Sequence, residues 1–240
     1  MDRRTKTVAL HGAAPEEAES DDLDAVEVIF SSLRIWLTQL PAYAGVALLV
    51  HTPLLLLLLL PPVPAWLLVV VFGVVELVIA LLVKAALIKA ALDAHRGLSS
   101  DFRELLEMLN KKAPAVLAVG LRILPVAAAK MLKLVLPGAV YLTETFAAVP
   151  EVIEEGVSPS EAVRRSERLT HGVRLQVFAI CMVSWTLSPA LIFASGVHLG
   201  GRMISPTWMI VYLCMRSLDT SLAAVLSATT YHHLRQRPEI

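Results

Sequence analysis

The sequence predicts an all-α fold, a polytopic transmembrane helical bundle of about six spans with two cytoplasmic amphipathic interfacial helices. Hydrophobic residues make up 56% of the 240 residues and charged residues only 18%, whereas soluble domains carry about 25% charged residues. The apolar residues are gathered into long runs such as AYAGVALLVHTPLLLLLLL and AWLLVVVFGVVELVIALLV. Runs of this length can cross a hydrocarbon core of about 30 Å, which indicates an integral membrane protein.

The chain divides by composition into three regions. We predict a flexible, acidic, cytoplasmic tail at 1–30, a membrane domain at 31–232 and a cytoplasmic C-terminal tail at 233–240. Proline-rich turns such as PPVP at 61–64 and the PG at Pro137 and Gly138 separate apolar segments, because proline cannot continue a helix. The predicted spans are approximately 36–60, 65–92, 113–136, 138–150, 175–197 and 207–231.

The third and fourth segments are the most polar of the six. They contain Arg122, Lys130, Lys133 and Glu144, and charged side chains are costly to expose to lipid. Segment 113–150 is therefore either two full spans or a re-entrant hairpin.

The distribution of basic residues predicts the orientation. The two tails and the loops near 93–112 and 150–174 hold most of the 21 Lys and Arg residues, whereas the three opposite turns contain only Arg202. Cytoplasmic loops are enriched in Lys and Arg. We therefore expect a multi-pass membrane protein with both termini in the cytoplasm, and the family resemblance described below implies the bacterial cytoplasmic (inner) membrane.

Two polar stretches between spans have the pattern of interfacial helices. In the first, at 93–112, apolar side chains recur at helical spacing at Phe102, Leu105, Leu106 and Leu109. The second, at 158–171, begins with a Ser-Pro pair suited to the start of a helix. Ser158 is a good N-cap, Pro159 suits the first helical position, and Glu161 would complete a capping box.

Three arginines on this second helix are candidate contacts for lipid phosphates or for a partner protein: Arg164, Arg165 and Arg168. The alternative is that they only enforce topology and keep a loop solvated. Membrane phospholipids are the expected partners, with another membrane or envelope protein as a further candidate. Nucleic acid is not expected, because the basic residues follow the sides of the membrane.

The segment LVLPGAVYLTETFAAVPEVIEEGVSPSEAVRRSERLTHGVRLQVF resembles the membrane domain associated with bacterial glycerophosphoryl diester phosphodiesterases. The tail ATTYHHLRQRPE is similar to the ending of that family, although His233 replaces its usual acidic residue. The resemblance implies a membrane domain without the phosphodiesterase catalytic barrel, for which this chain has no room. The motif residues that carry it include Gly156, Ser158, Pro159, Glu161, Ser166 and Gly172.

Ionisable residues within apolar segments are further candidates for function. Besides the four in 113–150, they are Glu76, Arg216 and Asp219. Arg216 and Asp219 are three residues apart and can pair on one helix, and Glu76 could meet Arg122 across helices. These groups could form structural ion pairs or line a polar pathway.

The hypothesis favoured by the sequence is a non-enzymatic membrane module that binds lipids or a partner in membrane or envelope lipid homeostasis. The alternative is a small transporter or channel-like protein that uses the buried ionisable residues. An intramembrane lipid-modifying enzyme ranks last, because no catalytic motif is present. No cofactor or metal site is expected. The ligand and the oligomeric state do not follow from the sequence.

Overall fold

The computed structural model describes residues 23–54, 65–194 and 206–237. Within these ranges the chain is helical, with no strand, which confirms the all-α fold. The nine described helices are α1 Ala25–Thr38, α2 Leu40–His51, α3 Ala65–His95, α4 Phe102–Lys133, α5 Val135–Glu144, α6 Ala148–Glu155, α7 Pro159–Leu169, α8 Arg174–Ala194 and α9 Pro206–Gln236. Helix α1 begins inside the range 1–30 assigned to the tail, with Asp24 as its N-cap.

Three helices within the described ranges are long and apolar enough to cross a membrane: α3, α4 and α9. A fourth candidate is α1 together with α2, which are bent by 76° at their junction. Helix α3 has 31 residues, which gives about 46 Å at about 1.5 Å per residue. Because a hydrocarbon core is about 30 Å thick, such a helix can extend well beyond it. The predicted count of six spans is not confirmed.

Helices α3 and α9 run parallel and form the centre of the fold. Glu76 of α3 meets Arg216 of α9, and His95 at the end of α3 stacks on His232 near the end of α9. The C-terminal halves of α3 and α9 contain much of the buried core, including Leu87, Ile88 and Leu226. Helices α6 and α7 pack around this same end, so the best-packed part of the described chain lies where α3 and α9 finish.

The first predicted span, 36–60, does not begin as one straight helix. Helix α1 ends at Thr38, and α2 starts at Leu40 with Pro41 in its first turn. Proline has no N–H to donate back into α1 and restricts the residue before it, which places the break here. Positions 55–60 of this span lie outside the described residues.

The region 93–133 also differs from the prediction. Instead of a separate interfacial helix followed by a span from 113, α4 continues from Phe102 through Pro114 and Pro125 to Lys133. Helix α4 packs against α3, α6 and α7 along this course. This packing offsets the loss of the backbone hydrogen bonds that the two prolines cannot make.

The turn predicted at Pro137 and Gly138 is wrong by a few residues. The chain turns at Leu134, which is extended, and Pro137 and Gly138 lie inside α5. Proline is tolerated in a first helical turn because its missing N–H would have no helical partner there. Gly138 packs so tightly on α4 that an added Cβ would lie 3.0 Å from the backbone nitrogen of Met131.

The fourth predicted span, 138–150, is wrong as a single helix. Helices α5 and α6 have 10 and 8 residues and are separated by 145–147, so each alone is too short to cross a bilayer. Together they return along α4: Lys130 lies over the ring of Tyr141, and Lys112 donates to the carbonyl oxygen of Val152 at 3.3 Å.

Candidate functional site

A triad of charged side chains joins α3 to α9. Arg216 Nε donates to Glu76 Oε1 at 2.7 Å, and Arg216 Nη1 donates to Asp219 Oδ2 at 2.6 Å. Both carboxylates are buried. Arg216 bonds to both carboxylates, and Oε2 of Glu76 is buried without a hydrogen bond of normal geometry among the described residues, with Tyr212 close by. The predicted pairing of Arg216 with Asp219 is therefore confirmed.

The predicted pairing of Glu76 with Arg122 is wrong. Arg122 is exposed on α4, while the carboxylate of Glu76 is taken by Arg216. The two helices that carry Glu76 and Arg216 are in extensive contact. Sequence position placed both arginines at similar depths and could not decide which of them points toward α3, because α4 and α9 both pack against that helix.

The other predicted buried charges lie along the α4–α5 hairpin. Lys133 is exposed, and Lys130 is half-buried with its ammonium 4.0 Å from the centroid of the Tyr141 ring. Glu144 accepts from Arg174 at 3.1 Å. Arg174 is the first residue of α8. Because α5 turns back along α4, Glu144 lies at the end of the bundle where α7 ends and α8 begins.

Lys84 is an interior charge that the sequence analysis did not single out. Its ammonium lies 5.6 Å from the centroid of the Phe146 ring, a distance suited to a cation–π contact. Its position inside the apolar run of α3 was the available signal. Lys84 lies near the end of the predicted span 65–92, and a lysine in such a position can extend its ammonium group to water.

A helix is present at the predicted position 158–171 as α7, and its ends follow the motif, while its place at a membrane interface stays a prediction. The backbone N–H of Glu161 donates to Ser158 Oγ at 3.4 Å, and Pro159 is the first helical residue. Gly156 and Gly172 adopt left-handed φ values of 65° and 83°. These two glycines end α6 and the turn after α7 in a conformation that other residues rarely adopt.

The carboxylate of Glu161 binds arginines instead of completing a capping box. Arg164 donates to Oε2, while Arg165 and Arg168 reach Oε1 at 3.2 and 3.1 Å. These hydrogen bonds, first that of Arg164, lower the pKa of Glu161 below its ordinary value. The side chains of Arg164 and Arg168 nevertheless remain 74% and 72% exposed.

Arg165 differs from the other two arginines because it also faces inward. Its Nη1 lies 3.7 Å from Oε2 of Glu151, a fully buried residue of α6. Both oxygens of Glu151 and the nearby hydroxyl of Tyr231 are buried without a hydrogen bond of normal geometry. Burial raises the pKa of Glu151 above its ordinary value, although Arg235 and Arg165 oppose this.

Ser166 attaches α7 to the rest of the chain. Its hydroxyl donates to the carbonyl oxygen of Glu144 at 2.7 Å and accepts from the backbone N–H of Ala147 at 3.0 Å. Ala162 and Val163 are buried beside it. The short side chains on this face let α7 lie close to the break between α5 and α6, so the arginines stand on a fixed helix.

Helix α6 is acidic and is surrounded by cations from four other helices. Glu154 is contacted by Lys89 and Arg96, and Arg235 bonds to Glu155. Lys112 bonds to carbonyl oxygens at the end of α6, where positive charge suits the helix dipole. No local pattern in the sequence predicts this arrangement, because the cations come from distant segments.

A group of histidines lies where α3 and α9 end. The rings of His95 and His232 stack with centroids 4.7 Å apart, and His232 and His233 meet edge-on at 6.0 Å. His95 Nε2 lies 3.0 Å from Thr229 Oγ1. The sequence analysis predicted no site from these residues, since His95 is separated from the other two by more than half the chain.

Comparison of the chain with protein-family models, with curated proteins and with solved structures gives no match. The resemblance to the phosphodiesterase-associated membrane domain stays a prediction.

Proposed function

We propose that this protein is a non-enzymatic integral membrane module whose basic helix α7 contacts anionic lipid headgroups or a partner protein in membrane or envelope lipid homeostasis. The observation that carries the proposal is the pair Arg164 and Arg168, which are largely exposed although both bond to Glu161. Helix α7 carries three arginines against two carboxylates, Glu161 and Glu167, which leaves a net positive charge on the helix, and basic residues near a membrane are attracted to anionic lipid.

The attachment of α7 supports this proposal. Ser166 bonds to the break between α5 and α6, and Arg165 points toward the buried Glu151. A fixed helix presents its exposed groups with little loss of conformational freedom on binding. Arg164 and Arg168 are therefore the contact residues in this proposal, and Arg165 is assigned to holding the helix in place.

The proposed location is the bacterial cytoplasmic membrane, with several spans and both termini in the cytoplasm. The parallel course of α3 and α9 supports this, since it brings Arg96, after α3, and Arg235, near the end of α9, to one end of the bundle. An end rich in Lys and Arg is expected on the cytoplasmic side. Membrane phospholipids are the proposed partners.

A small transporter is the second candidate function. The observation in its favour is the buried Oε2 of Glu76, which makes no hydrogen bond of normal geometry with the described residues. Buried ionisable groups in spans can carry ions or protons. If transport uses this triad, Glu76→Gln or Asp219→Asn should abolish flux in proteoliposomes and leave folded yield intact, whereas a purely structural triad predicts loss of folded protein.

The main proposal is tested with the full chain in nanodiscs of mixed phosphatidylglycerol and phosphatidylcholine. Native mass spectrometry after gentle release counts the lipids retained by the wild type and by the double variant Arg164→Gln/Arg168→Gln. At about 1 kcal/mol per basic residue, the double variant should lose roughly tenfold or more of the preference for phosphatidylglycerol.

The matched control is Arg103→Gln, because Arg103 is highly exposed at the start of α4 and pairs only with exposed Glu107 among the described residues. The control should retain the wild-type preference. If the double variant also retains the wild-type preference for phosphatidylglycerol, and if it binds as much of any protein partner as the wild type does, α7 is not the contact surface.

A further inference from the structure

An open cavity of about 390 Å³ lies where α1 crosses the ends of α3 and α9. Arg34 of α1 lines it on one side, and His95 of α3 with His232 and His233 of α9 lines it on the other. The remaining lining residues are neutral, and none of them is a carboxylate. Arg34 is thus the charged residue of this lining, and it favours a negatively charged occupant.

Arg34 is the strongest potential donor at this cavity. It is exposed and makes no ion pair with any residue that the structure describes, whereas most other described arginines are paired with carboxylates. The neighbouring hydroxyls of Ser31 and Thr38 donate to carbonyl oxygens of their own helix. Donors for a ligand thus come first from the guanidinium group of Arg34, and then from the imidazoles and the amide of Gln236. Gln236 Nε2 already lies 2.9 Å from His232 Nε2, and His95 Nε2 lies 3.0 Å from Thr229 Oγ1.

The outer face of α1 next to Arg34 is apolar. Val26, Phe30 and Leu37 are 60%, 68% and 61% exposed, and their spacing puts them on one side of the helix. A helix with an exposed apolar stripe and a polar side is suited to the membrane interface, and the 76° bend between α1 and α2 lets α1 lie there while α2 enters the membrane. By helical rotation at 100° per residue, Arg34 falls between this stripe and the cavity, at the level expected for lipid headgroups.

We propose that Arg34, together with His95, His232 and His233, binds a phosphate group, most readily that of an anionic phospholipid headgroup. The guanidinium fork matches two phosphate oxygens, and the imidazoles supply further N–H donors. The inference rests on the proposed membrane module, but it concerns a site separate from the α7 arginines. It adds a defined headgroup pocket to a protein whose other basic surface is an open helix face.

The histidines do not suggest a metal instead. The rings of His95 and His232 are nearly parallel, with 18° between their planes, so they stack rather than direct ring nitrogens at a common point. Within the described ranges no three His, Cys, Asp or Glu side chains are placed to hold a metal ion.

Two binding measurements on the full chain test the proposal and separate the sources of phosphate. Isothermal titration of detergent-solubilised protein with sn-glycerol 3-phosphate measures binding of a soluble phosphate. Nanodiscs of phosphatidylglycerol and phosphatidylcholine, followed by native mass spectrometry, measure binding of a lipid phosphate. Arg34→Gln should weaken whichever binding the wild type shows by about tenfold, the loss expected for one charge-assisted contact of about 1.5 kcal/mol.

The variant His233→Gln removes a second lining group, and Arg103→Gln again serves as the exposed control. Retention of phosphatidylglycerol alone supports a headgroup site, and titration by sn-glycerol 3-phosphate alone supports a site for a soluble phosphate ester. The proposal is overturned if the wild type binds neither probe, or if Arg34→Gln and His233→Gln both bind as well as Arg103→Gln.

The α7 double variant separates this inference from the proposed function. Arg164→Gln/Arg168→Gln should leave titration by sn-glycerol 3-phosphate unchanged, because neither residue lines the cavity. If only the α7 double variant loses phosphatidylglycerol and Arg34→Gln does not, the cavity proposal fails while the proposed function stands. If only Arg34→Gln loses it, the contact surface is the cavity and not α7.

Discussion

Arg216 on α9 donates through Nε to Glu76 on α3 at 2.7 Å, and the same guanidinium group bonds to Asp219 one helical turn away. The two carboxylates are buried, and the parallel helices that carry them are the most extensively paired in the described chain. Arg216 thus bonds to two buried carboxylates at once, so the three side chains do not contribute equally to stability.

Arg216→Met should destabilise the protein more than Asp219→Asn does. Removing the guanidinium group leaves two buried carboxylates without it, and breaking a buried pair costs roughly 3–5 kcal/mol. Asp219→Asn leaves the bond to Glu76 in place. Thermal unfolding in detergent compares the melting temperatures of the two variants, with Arg122→Gln as the control at an exposed arginine. Equal melting temperatures for Arg216→Met and the control would refute a stabilising triad.

Ser166→Ala should loosen α7 from the body of the protein. The hydroxyl of Ser166 both donates to Glu144 O and accepts from Ala147 N–H, and leaving buried groups without partners costs about 1–3 kcal/mol. Ser99→Ala is the matched control, because Ser99 is exposed in the loop after α3. Faster amide hydrogen exchange in α7 is expected for Ser166→Ala alone. Unchanged amide exchange in Ser166→Ala would mean that the apolar contacts of α7 are enough to hold the helix in place.

Gly156→Ala should cost about 1–2 kcal/mol, because Gly156 has a φ of 65° and an L-residue is disfavoured in that conformation. Space is not the obstacle, since an added Cβ would come no closer than 3.9 Å to Lys112 Nζ. Gly45→Ala in α2 makes the comparison, because Gly45 is helical and open. Gly45→Ala should be neutral or slightly stabilising, and a loss of melting temperature as large as that of Gly156→Ala would contradict the backbone explanation.

Glu151 and Glu161 should affect stability in opposite directions as pH changes. The pKa of Glu151 is raised in the folded protein, mainly by burial. Its favourable contribution is therefore complete below its unfolded pKa of about 4.5 and is lost as pH rises through the folded value. The pKa of Glu161 is lowered, mainly by Arg164. Its contribution is present above about 4.5 and is lost as pH falls through the lower folded value.

Unfolding scans of Glu151→Gln and Glu161→Gln between pH 4 and 8 check these signs. Glu151→Gln should gain stability relative to the wild type at pH 7, and the gain should shrink toward pH 4. Glu161→Gln should lose stability at pH 7, and its loss should shrink in acid. The same sign for both variants at pH 7 would show that Glu151 is held in its ionised form by Arg165 and Arg235.

Helices with strong local signals were predictable from the sequence. The run from Ala65 predicted α3 to within a few residues, and Ser158, Pro159 and Gly172 marked the ends of the segment that forms α7. The pairing of Arg216 with Asp219 also followed from their spacing on one helix. In each case the cause lies within a few residues of chain.

Features that depend on packing between distant segments were not predictable. The continuation of α4 through Pro114 opposes the local preference of proline and accompanies contacts with α3, α6 and α7. The choice of Arg216 over Arg122 for Glu76 depends on the rotation of each helix, which places Arg216 against α3 and leaves Arg122 exposed. The stack of His95 on His232 joins two helix ends, and neither residue has a neighbour in sequence that suggests it.

The most direct test of the account asks whether the chain spans a membrane with its basic ends on one side. Ser99→Cys lies in the loop between α3 and α4, and His171→Cys lies in the turn after α7. Each is introduced singly with Cys181 and Cys214 replaced by serine, and a membrane-impermeant maleimide is applied to intact spheroplasts and to inverted vesicles. The account predicts that both cysteines react only in inverted vesicles and that alkaline carbonate leaves the protein in the membrane. Reaction of the two cysteines from opposite sides, or release by carbonate, would contradict it.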